Sequence, residues 1–104
     1  MAKNKDRLNK IISSFLEEIQ KKYKIDNAYL YGSFAKGTFN KWSDIDIALV
    51  SKLFKGNRIE DKDRIRKITL SVSSSIEVLP FPPDDFNLQN PLAKEIIETG
   101  IKLI

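Results

Sequence analysis

The chain has 104 residues and a mass of 11.9 kDa, which is the size of one ordinary domain. Cysteine and histidine are both absent, which excludes disulfide frameworks, thiolate zinc sites, cysteine nucleophiles and any mechanism that needs an imidazole base. No apolar stretch approaches the ~20 residues of a membrane span, and the basic N-terminus lacks the apolar core of a signal peptide. We therefore expect a soluble cytoplasmic protein whose chemistry uses carboxylates, hydroxyls, lysines or a bound cation.

The net charge of +4 is unevenly distributed along the chain. Residues 1–24 and 52–67 each carry seven basic and three acidic side chains, whereas residues 25–51 and 68–104 sum to −1 and −3. This pattern suits a polyanion such as a nucleic acid or a nucleoside triphosphate, although lysine-rich helix faces are in most proteins simply solvated.

The secondary structure can be predicted in chain order from hydrophobic spacing and turn residues. Apolar residues spaced three and four apart between Leu8 and Ile19 predict an amphipathic helix over about residues 5–23. A short strand then contains Tyr29 and Tyr31, which we expect to pack on the sheet. The remaining elements predicted are a turn over 32–37, a loop over 38–43, a strand over 44–50, a helix over 58–72 capped near Gly56 and Asn57, a strand over 76–79 ended by Pro80, a helix from Asn90 and Pro91 to Gly100, and a short strand over 101–104.

This order of elements indicates an α+β fold, a mixed α/β sheet in a single domain spanning residues 1–104. Each predicted strand is apolar on one side only, so we expect the helices to pack on one face of the sheet. The other face would then be open to solvent, a ligand or a partner.

Asp44 and Asp46 stand two residues apart in the second predicted strand. Both side chains should therefore point to the same face, ~6.6 Å apart along the strand. Two carboxylates this close repel each other, and Mg²⁺ relieves that repulsion because it accepts one or two carboxylates and keeps positions for phosphate oxygens. On its own, however, an Asp-x-Asp pair is more often two hydrated acids on an exposed strand face.

Gly32 and Ser33 form a second element of interest, because a strand ending in Gly-Ser and leading into a helical turn presents N–H groups and a hydroxyl to a phosphate. Gly32 has no Cβ to obstruct the approach, and Gly37 ends the turn. Alone, this is an ordinary strand-to-helix turn. The turn and the acid pair lie 11 residues apart on consecutive strands, so together they predict a phosphate site beside a metal site.

Glu77 is a candidate third carboxylate, because it alternates with apolar neighbours and should share the open face if its strand pairs beside the Asp44 strand. A solvated strand glutamate fits the same pattern equally well. Lys36 and Lys41 could contact a triphosphate, but loop lysines are more often plain surface. Trp42 could stack on a base, although packing of the loop against the sheet is favoured.

Together these residues resemble the nucleotidyltransferase superfamily, which includes DNA polymerase β, kanamycin nucleotidyltransferase and poly(A) polymerases. The short length resembles its minimal nucleotidyltransferase (MNT) group, to which the MntA-type antitoxins belong. The likeness extends over nearly the whole chain from Ala28 onward. Three stretches carry it, Tyr-Gly-Ser-Phe-Ala-Lys-Gly over 31–37, Ser-Asp-Ile-Asp-Ile-Ala-Leu-Val over 43–50 and Asn-Pro-Leu-Ala-Lys-Glu-Ile-Ile-Glu-Thr-Gly over 90–100.

The resemblance implies a nucleotidyltransferase palm that transfers a nucleoside monophosphate, AMP from ATP, to an acceptor hydroxyl. An in-line attack on the α-phosphorus would release pyrophosphate, with two Mg²⁺ ions ~3.5–4 Å apart. The site residues it implies are Asp44, Asp46 and Glu77 as catalytic residues and metal ligands, and Gly32, Ser33 and Lys36 as nucleotide phosphate-binding residues.

Two positions depart from the pattern of the group. A basic residue often follows the Gly-Ser pair, and this chain has Phe34 there. The third carboxylate is usually Asp, and Glu77 is longer by one methylene. The second departure bears on catalysis more than on nucleotide binding.

The resemblance also implies a partner. Larger relatives carry a further domain that grips the nucleotide and acceptor, so we expect an oligomer or a partner chain to complete the site. In the MNT group that partner is a helical HEPN-type toxin, which the antitoxin can nucleotidylate. The alternative is an MNT domain with weak or lost catalysis that neutralises its partner by contact. A nucleic-acid-binding module ranks last, because the sequence has no recognised signature for one.

Overall fold

The computed structural model describes residues 2–38 and 44–104, with side chains described from residue 6 onward. Within these ranges no helix is both long and apolar enough to cross a membrane. The elements are α1 (Ala2–Lys22), β1 (Asn27–Tyr31), α2 (Ser33–Lys36), β2 (Ile45–Val50), α3 (Arg58–Val72), β3 (Ile76–Phe81), a 3₁₀ turn (Pro83–Asp85), α4 (Pro91–Thr99) and β4 (Ile101–Lys102).

The four strands form one mixed sheet in the order β3-β2-β1-β4. β1 runs antiparallel to both β2 and β4, whereas β2 and β3 are parallel. A parallel pair needs a crossover connection, and α3 provides it between β2 and β3. The predicted fold class, a mixed α/β sheet with helices, is confirmed.

The larger core lies between the sheet and the helices α1 and α3. Ile45, Ile47 and Leu49 alternate along β2 and are buried on this side, as predicted. The apolar stripe of α1 packs onto them through Phe15 and Ile19, which have no exposed surface.

The expectation that all helices share one face needs a correction, because α4 packs on the opposite face. Ala93 and Ile96 of α4 form a second buried cluster with Ala48, Val50 and Phe81 of the sheet. The physical reason is that β2 is polar on this face only at Asp46 and becomes apolar further along. α4 therefore covers one part of this face, and the part that carries Asp46 is not covered by α4.

β3 continues through Pro80 to Phe81, whereas we expected Pro80 to end it. The carbonyls of Ser75 and Phe81 accept hydrogen bonds from the N–H groups of Ile45 in β2 and of Ser51 just after it, at distances of 2.8 and 3.1 Å. Because bonding residues alternate in a parallel ladder, Pro80 faces away from β2 and needs no N–H there. A proline is thus accommodated inside an edge strand.

The predicted helix starts are confirmed by their caps. The Asn57 side chain accepts a hydrogen bond from the Glu60 N–H, and the Asn90 side chain accepts from the N–H groups of Leu92 and Ala93. These caps fix the residue at which α3 begins after β2 and the residue at which α4 begins on the second face of the sheet.

Candidate active site

Three polar side chains form a row across the uncovered part of the sheet. In the strand register, Tyr31 of β1 pairs with Asp46 of β2, and Asp46 pairs with Glu77 of β3. Register partners share one face of a sheet, so the three side chains leave the sheet on the same side. Asp44 lies immediately before β2 and is exposed.

Gly32 brings the chain directly against Asp46. Its backbone has φ +74° and ψ −150°, a conformation that favours glycine, and it turns the chain from β1 into α2. A Cβ at this position would overlap Oδ2 of Asp46 and lie 3.2 Å from its Cγ. The glycine is therefore required twice, by its backbone conformation and by the carboxylate beside it.

The short helix α2 follows, with Ser33 as its first residue and Gly37 as a left-handed C-cap at φ +78°. The N–H groups of Gly37 and Thr38 both bond to the Ser33 carbonyl, which closes the turn. Lys36 is exposed, and its Nζ lies 3.6 Å from Oε1 of Glu95 on α4. The predicted phosphate-binding residues thus lie in one turn next to Asp46.

The electrostatics of the row are those of crowded acids. Partial burial raises the pKa of Asp46 above its usual range, and the negative charges of Asp44 and Glu77 add to that shift. Burial, followed by the charges of Asp46 and Glu77, raises the pKa of Tyr31 to about 12, and Arg58 partly opposes this. A cation placed among these carboxylates would relieve the repulsion.

Glu77 occupies the free edge of the sheet, where its side chain makes an ion pair with Lys62 of α3. α3 covers the opposite face, so the Glu77 side chain turns around the edge of β3. Across the described part of the chain, no group of three or more acidic side chains is gathered closely enough to hold a metal by itself. Any cation would therefore depend on Asp44 and Asp46 together with oxygens from a ligand.

The sequence did not identify three participants in this region. The sequence predicts only that Tyr31 packs on the sheet, although antiparallel pairing of the first two predicted strands would have brought it near Asp46. Lys62 and Arg58 gave no local signal, because their positions depend on how α3 returns across the sheet. Lys41 and Trp42 lie outside the described residues.

A Gly-Ser turn lies against an acidic strand on the open part of the mixed sheet, and a third acid is in register beside it. This is the arrangement that the sequence predicts for a nucleotidyltransferase. The family model described as "Nucleotidyltransferase domain" matches residues 12–103. The chain belongs to this family.

One relative and two solved structures are similar to this chain. The "Putative protein adenylyltransferase MJ1305" of Methanocaldococcus jannaschii is 32% identical over 105 aligned positions, which cover 93% of this chain and 71% of the relative. A crystal structure from Sulfolobus solfataricus, titled as a "putative nucleotidyltransferase", matches with a TM-score of 0.69 at 18% identity, over 97% of this chain and 83% of that one. A toxin-antitoxin structure with AMP-PNP matches with a TM-score of 0.58 at 26% identity, over 93% of this chain and 72% of that one.

Proposed function

We propose that the protein transfers AMP from ATP, in the presence of Mg²⁺, to a hydroxyl group of a partner protein, and that it is the antitoxin of a toxin-antitoxin pair. The observation that carries the proposal is the close approach of Gly32 to the Asp46 carboxylate, which supports a phosphate-binding turn beside a metal ligand. The relative named as an adenylyltransferase supports the choice of AMP. The reaction would take place in the cytoplasm, where ATP is available.

The donors fit Mg²⁺. Asp44 and Asp46 supply two hard carboxylates, and Mg²⁺ commonly uses one or two carboxylates together with phosphate oxygens and water. The charges that raise the pKa of Asp46 also favour a cation beside it. Bound Mg²⁺ neutralises the charge that develops on the entering and leaving oxygens during phosphoryl transfer.

The turn at Gly32 and Ser33 would hold the phosphates beyond the α-phosphate. Gly32 leaves room for them, and the Ser33 hydroxyl lies at the start of α2. Lys36 would exchange its contact with Glu95 for a phosphate oxygen, because a surface ion pair of this kind contributes only ~0–1 kcal/mol.

Glu77 would act at the acceptor. Its backbone pairs with Asp46 in register, and its carboxylate would leave the ion pair with Lys62 to accept the proton that the acceptor hydroxyl loses. The acceptor oxygen attacks the α-phosphorus, the bond to the β-phosphate oxygen breaks, and pyrophosphate leaves. Asp44 and Asp46 are anionic and would act on this step by holding the Mg²⁺.

We infer that the partner is a HEPN-type helical toxin. The support is the structural likeness to a toxin-antitoxin complex that contains a non-hydrolysable ATP analogue. A specific observation favours the alternative, in which the protein neutralises its partner by contact alone. Glu77 is bound by Lys62 in this structure, and Phe34 packs against the main core where relatives often place a cation.

One experiment separates the two readings. The protein is incubated with ATP labelled at the α-phosphate, Mg²⁺ and the protein encoded beside it. We expect label on the partner, reduced more than ~100-fold in Asp44→Ala and Asp46→Ala because both variants lose a metal ligand. Glu98→Ala, which removes an exposed acid of α4, is the control and should keep full transfer.

The contrary outcome is also informative. If the Asp44→Ala and Asp46→Ala variants neutralise the partner as well as the unaltered protein, and no label is transferred, contact alone is the function.

A further inference from the structure

We propose that the acceptor enters as an extended polypeptide segment that pairs with the free edge of β3 and so presents its hydroxyl side chain to Glu77. This inference rests on the proposed function and names the class of acceptor for the same site. Its evidence is the backbone pattern of β3, the position of the carboxylate row and a groove beside the edge.

The first observation is that β3 lies at the end of the sheet order, so one side of it has no strand partner within the described residues. Ser75 and Phe81 bond to β2, and the alternation of a parallel ladder directs Glu77 and Leu79 to β2 as well. The N–H and C=O groups of the residues between them, at positions 76 and 78, consequently point away from the sheet. These groups flank Glu77 on both sides.

The second observation is that the carboxylate row ends at this edge. Tyr31, Asp46 and Glu77 occupy one register line, so a strand added to β3 would place its own residue next on that line, on the same face. In an antiparallel pairing Glu77 would form a non-hydrogen-bonded pair, whose side chains lie closest, with Cβ atoms about 4.5–5.5 Å apart. A Ser, Thr or Tyr at that position would bring its hydroxyl to the Glu77 carboxylate once that carboxylate leaves its ion pair with Lys62.

The third observation is a groove of about 210 Å³ between α3 and this edge. Its walls combine the apolar side chains of Leu70, Ile76 and Val78 with the cations of Lys62 and Arg66. Leu70 is 59% exposed although it is a large apolar residue. The residues on either side of the acceptor would point into this groove, because side chains alternate along a strand.

This alternation specifies the chemistry of the occupant. The acceptor segment should carry a central hydroxyl residue flanked by apolar or acidic side chains, which match the apolar wall and the cations of the groove. Pro80 has no N–H to donate on the free edge, so it limits pairing to the part of β3 beside Glu77. In the transfer step the peptide oxygen forms the new bond to the α-phosphorus, its proton passes to Glu77, and pyrophosphate carries away the bonding electrons of the broken P–O bond.

The test uses a library of synthetic heptapeptides with a central Ser, Thr or Tyr and randomised flanks, incubated with the protein, ATP and Mg²⁺. Mass spectrometry then reports which peptides gain one AMP. Val78→Pro removes the N–H of residue 78 from the free edge. Pro80, two residues further along, already has no N–H there. Val78→Ala serves as its baseline, because it also loses core packing at this buried position and keeps the N–H. We expect Val78→Pro to modify peptides about tenfold more slowly than Val78→Ala.

A second pair of variants covers the case in which Val78→Pro fails to fold. Leu70→Glu puts a negative charge into the groove, and Leu88→Glu makes the same change at a residue of similar exposure, 56%, on a distant loop. Peptide modification should fall about tenfold in the first and stay unchanged in the second, since repulsion of acidic flanks acts only in the groove. Amide hydrogen exchange at positions 76 and 78 should slow when the protein binds a non-hydrolysable ATP analogue together with a peptide from the library that it is able to modify.

The proposal is overturned if peptide modification is equally fast within both pairs of variants. The pairs are Val78→Pro with Val78→Ala, and Leu70→Glu with Leu88→Glu. It is also overturned if no peptide is modified by a protein that binds Mg²⁺ and ATP and labels its folded partner. Calorimetric binding of Mg²⁺ and ATP, compared between the unaltered protein and Asp46→Ala, is measured alongside. Absence of that binding would count against the proposed function itself and not against the use of the edge.

Discussion

At the level of single residues, Gly32 and Gly37 form a matched pair. Both have positive φ, at 74° and 78°, so alanine at either position should cost about 1–2 kcal/mol of unfolding free energy from backbone strain. Only at Gly32 would the new Cβ overlap the Asp46 carboxylate, since nothing lies within 4 Å of a Cβ at Gly37. We expect Gly32→Ala to lose at least ~100-fold in AMP transfer and Gly37→Ala to lose less than ~5-fold.

Urea denaturation and initial rates of label transfer measure the two effects separately. Similar losses of transfer in both variants would mean that the strained turn, and not the space beside Asp46, is what catalysis needs.

Asp46 gives a pH prediction whose sign follows from its environment. Its folded-state pKa is raised by burial and by Asp44 and Glu77, so the folded protein holds this proton more tightly than the unfolded chain. Without metal, ionised Asp46 therefore lowers stability at neutral pH, and this loss disappears as the pH falls toward and below the raised pKa. We expect metal-free Asp46→Asn to be more stable than the unaltered protein at pH 7, with the difference shrinking in acid.

Urea unfolding in the presence of a chelator, at several pH values, checks this. Glu98→Gln, at an exposed position of α4, controls for the loss of one negative charge. Mg²⁺ with ATP should reverse the order, because only the unaltered protein gains a metal ligand from Asp46. A stability difference that is constant with pH would contradict the assignment of the shift to ionisation.

Among the secondary-structure elements, α4 depends on its cap. The Asn90 side chain accepts from two backbone N–H groups at the start of the helix, and its amide nitrogen donates to the Asp85 carbonyl at 3.0 Å. Asn90→Ala should lower the unfolding free energy by about 1–2 kcal/mol and raise amide exchange in α4 before the rest of the chain. AMP transfer should change by less than ~3-fold, because the contact of Glu95 with Lys36 is an exposed ion pair that contributes only ~0–1 kcal/mol.

Asn57→Ala is the comparison variant. It removes the cap of α3, where the Asn57 side chain accepts one hydrogen bond. A loss of transfer in Asn90→Ala as large as that of Asp46→Ala would show that α4 builds the site and does not merely cover the sheet beside it.

The elements also show what the sequence could and could not predict. Apolar spacing located α1 and β2, and Gly56 and Asn57 marked the start of α3. The extension of β3 through Pro80 depends on which way one residue faces in the ladder, and the position of α4 depends on apolar residues of β2 beyond Asp46. Both are properties of the assembled sheet.

The candidate site divides in the same way. The Gly-Ser turn and the two aspartates could be placed together from motif spacing, because consecutive antiparallel strands bring the end of one to the start of the next. The Lys62 contact of Glu77 could not, since it joins positions 15 residues apart through the return of a helix. Side chains that come from crossover connections leave no periodic signal near the residue they contact.

For the whole molecule, the fold separates charge. α1 packs against α3, so the two basic segments, each with a net charge of +4, come together on one side of the sheet. The carboxylate row lies on the other side. Cations clustered on a surface attract any polyanion without sequence preference, so RNA should bind this helical layer weakly, with a dissociation constant of about 10–100 µM near physiological salt.

Such binding should be separable from nucleotide transfer. Replacing Lys10 of α1 and Lys67 of α3 with Glu should weaken RNA binding at least ~10-fold and flatten its salt dependence, because fewer counterions are released. The control replaces Lys94 of α4 and Lys102 of β4 with Glu, which makes the same change in net charge away from the helical layer. Both double variants should bind Mg²⁺ and ATP as the unaltered protein does. If the Lys10 and Lys67 variant also loses AMP transfer to its partner, the basic layer takes part in docking that partner, and the two faces of the sheet act in one reaction.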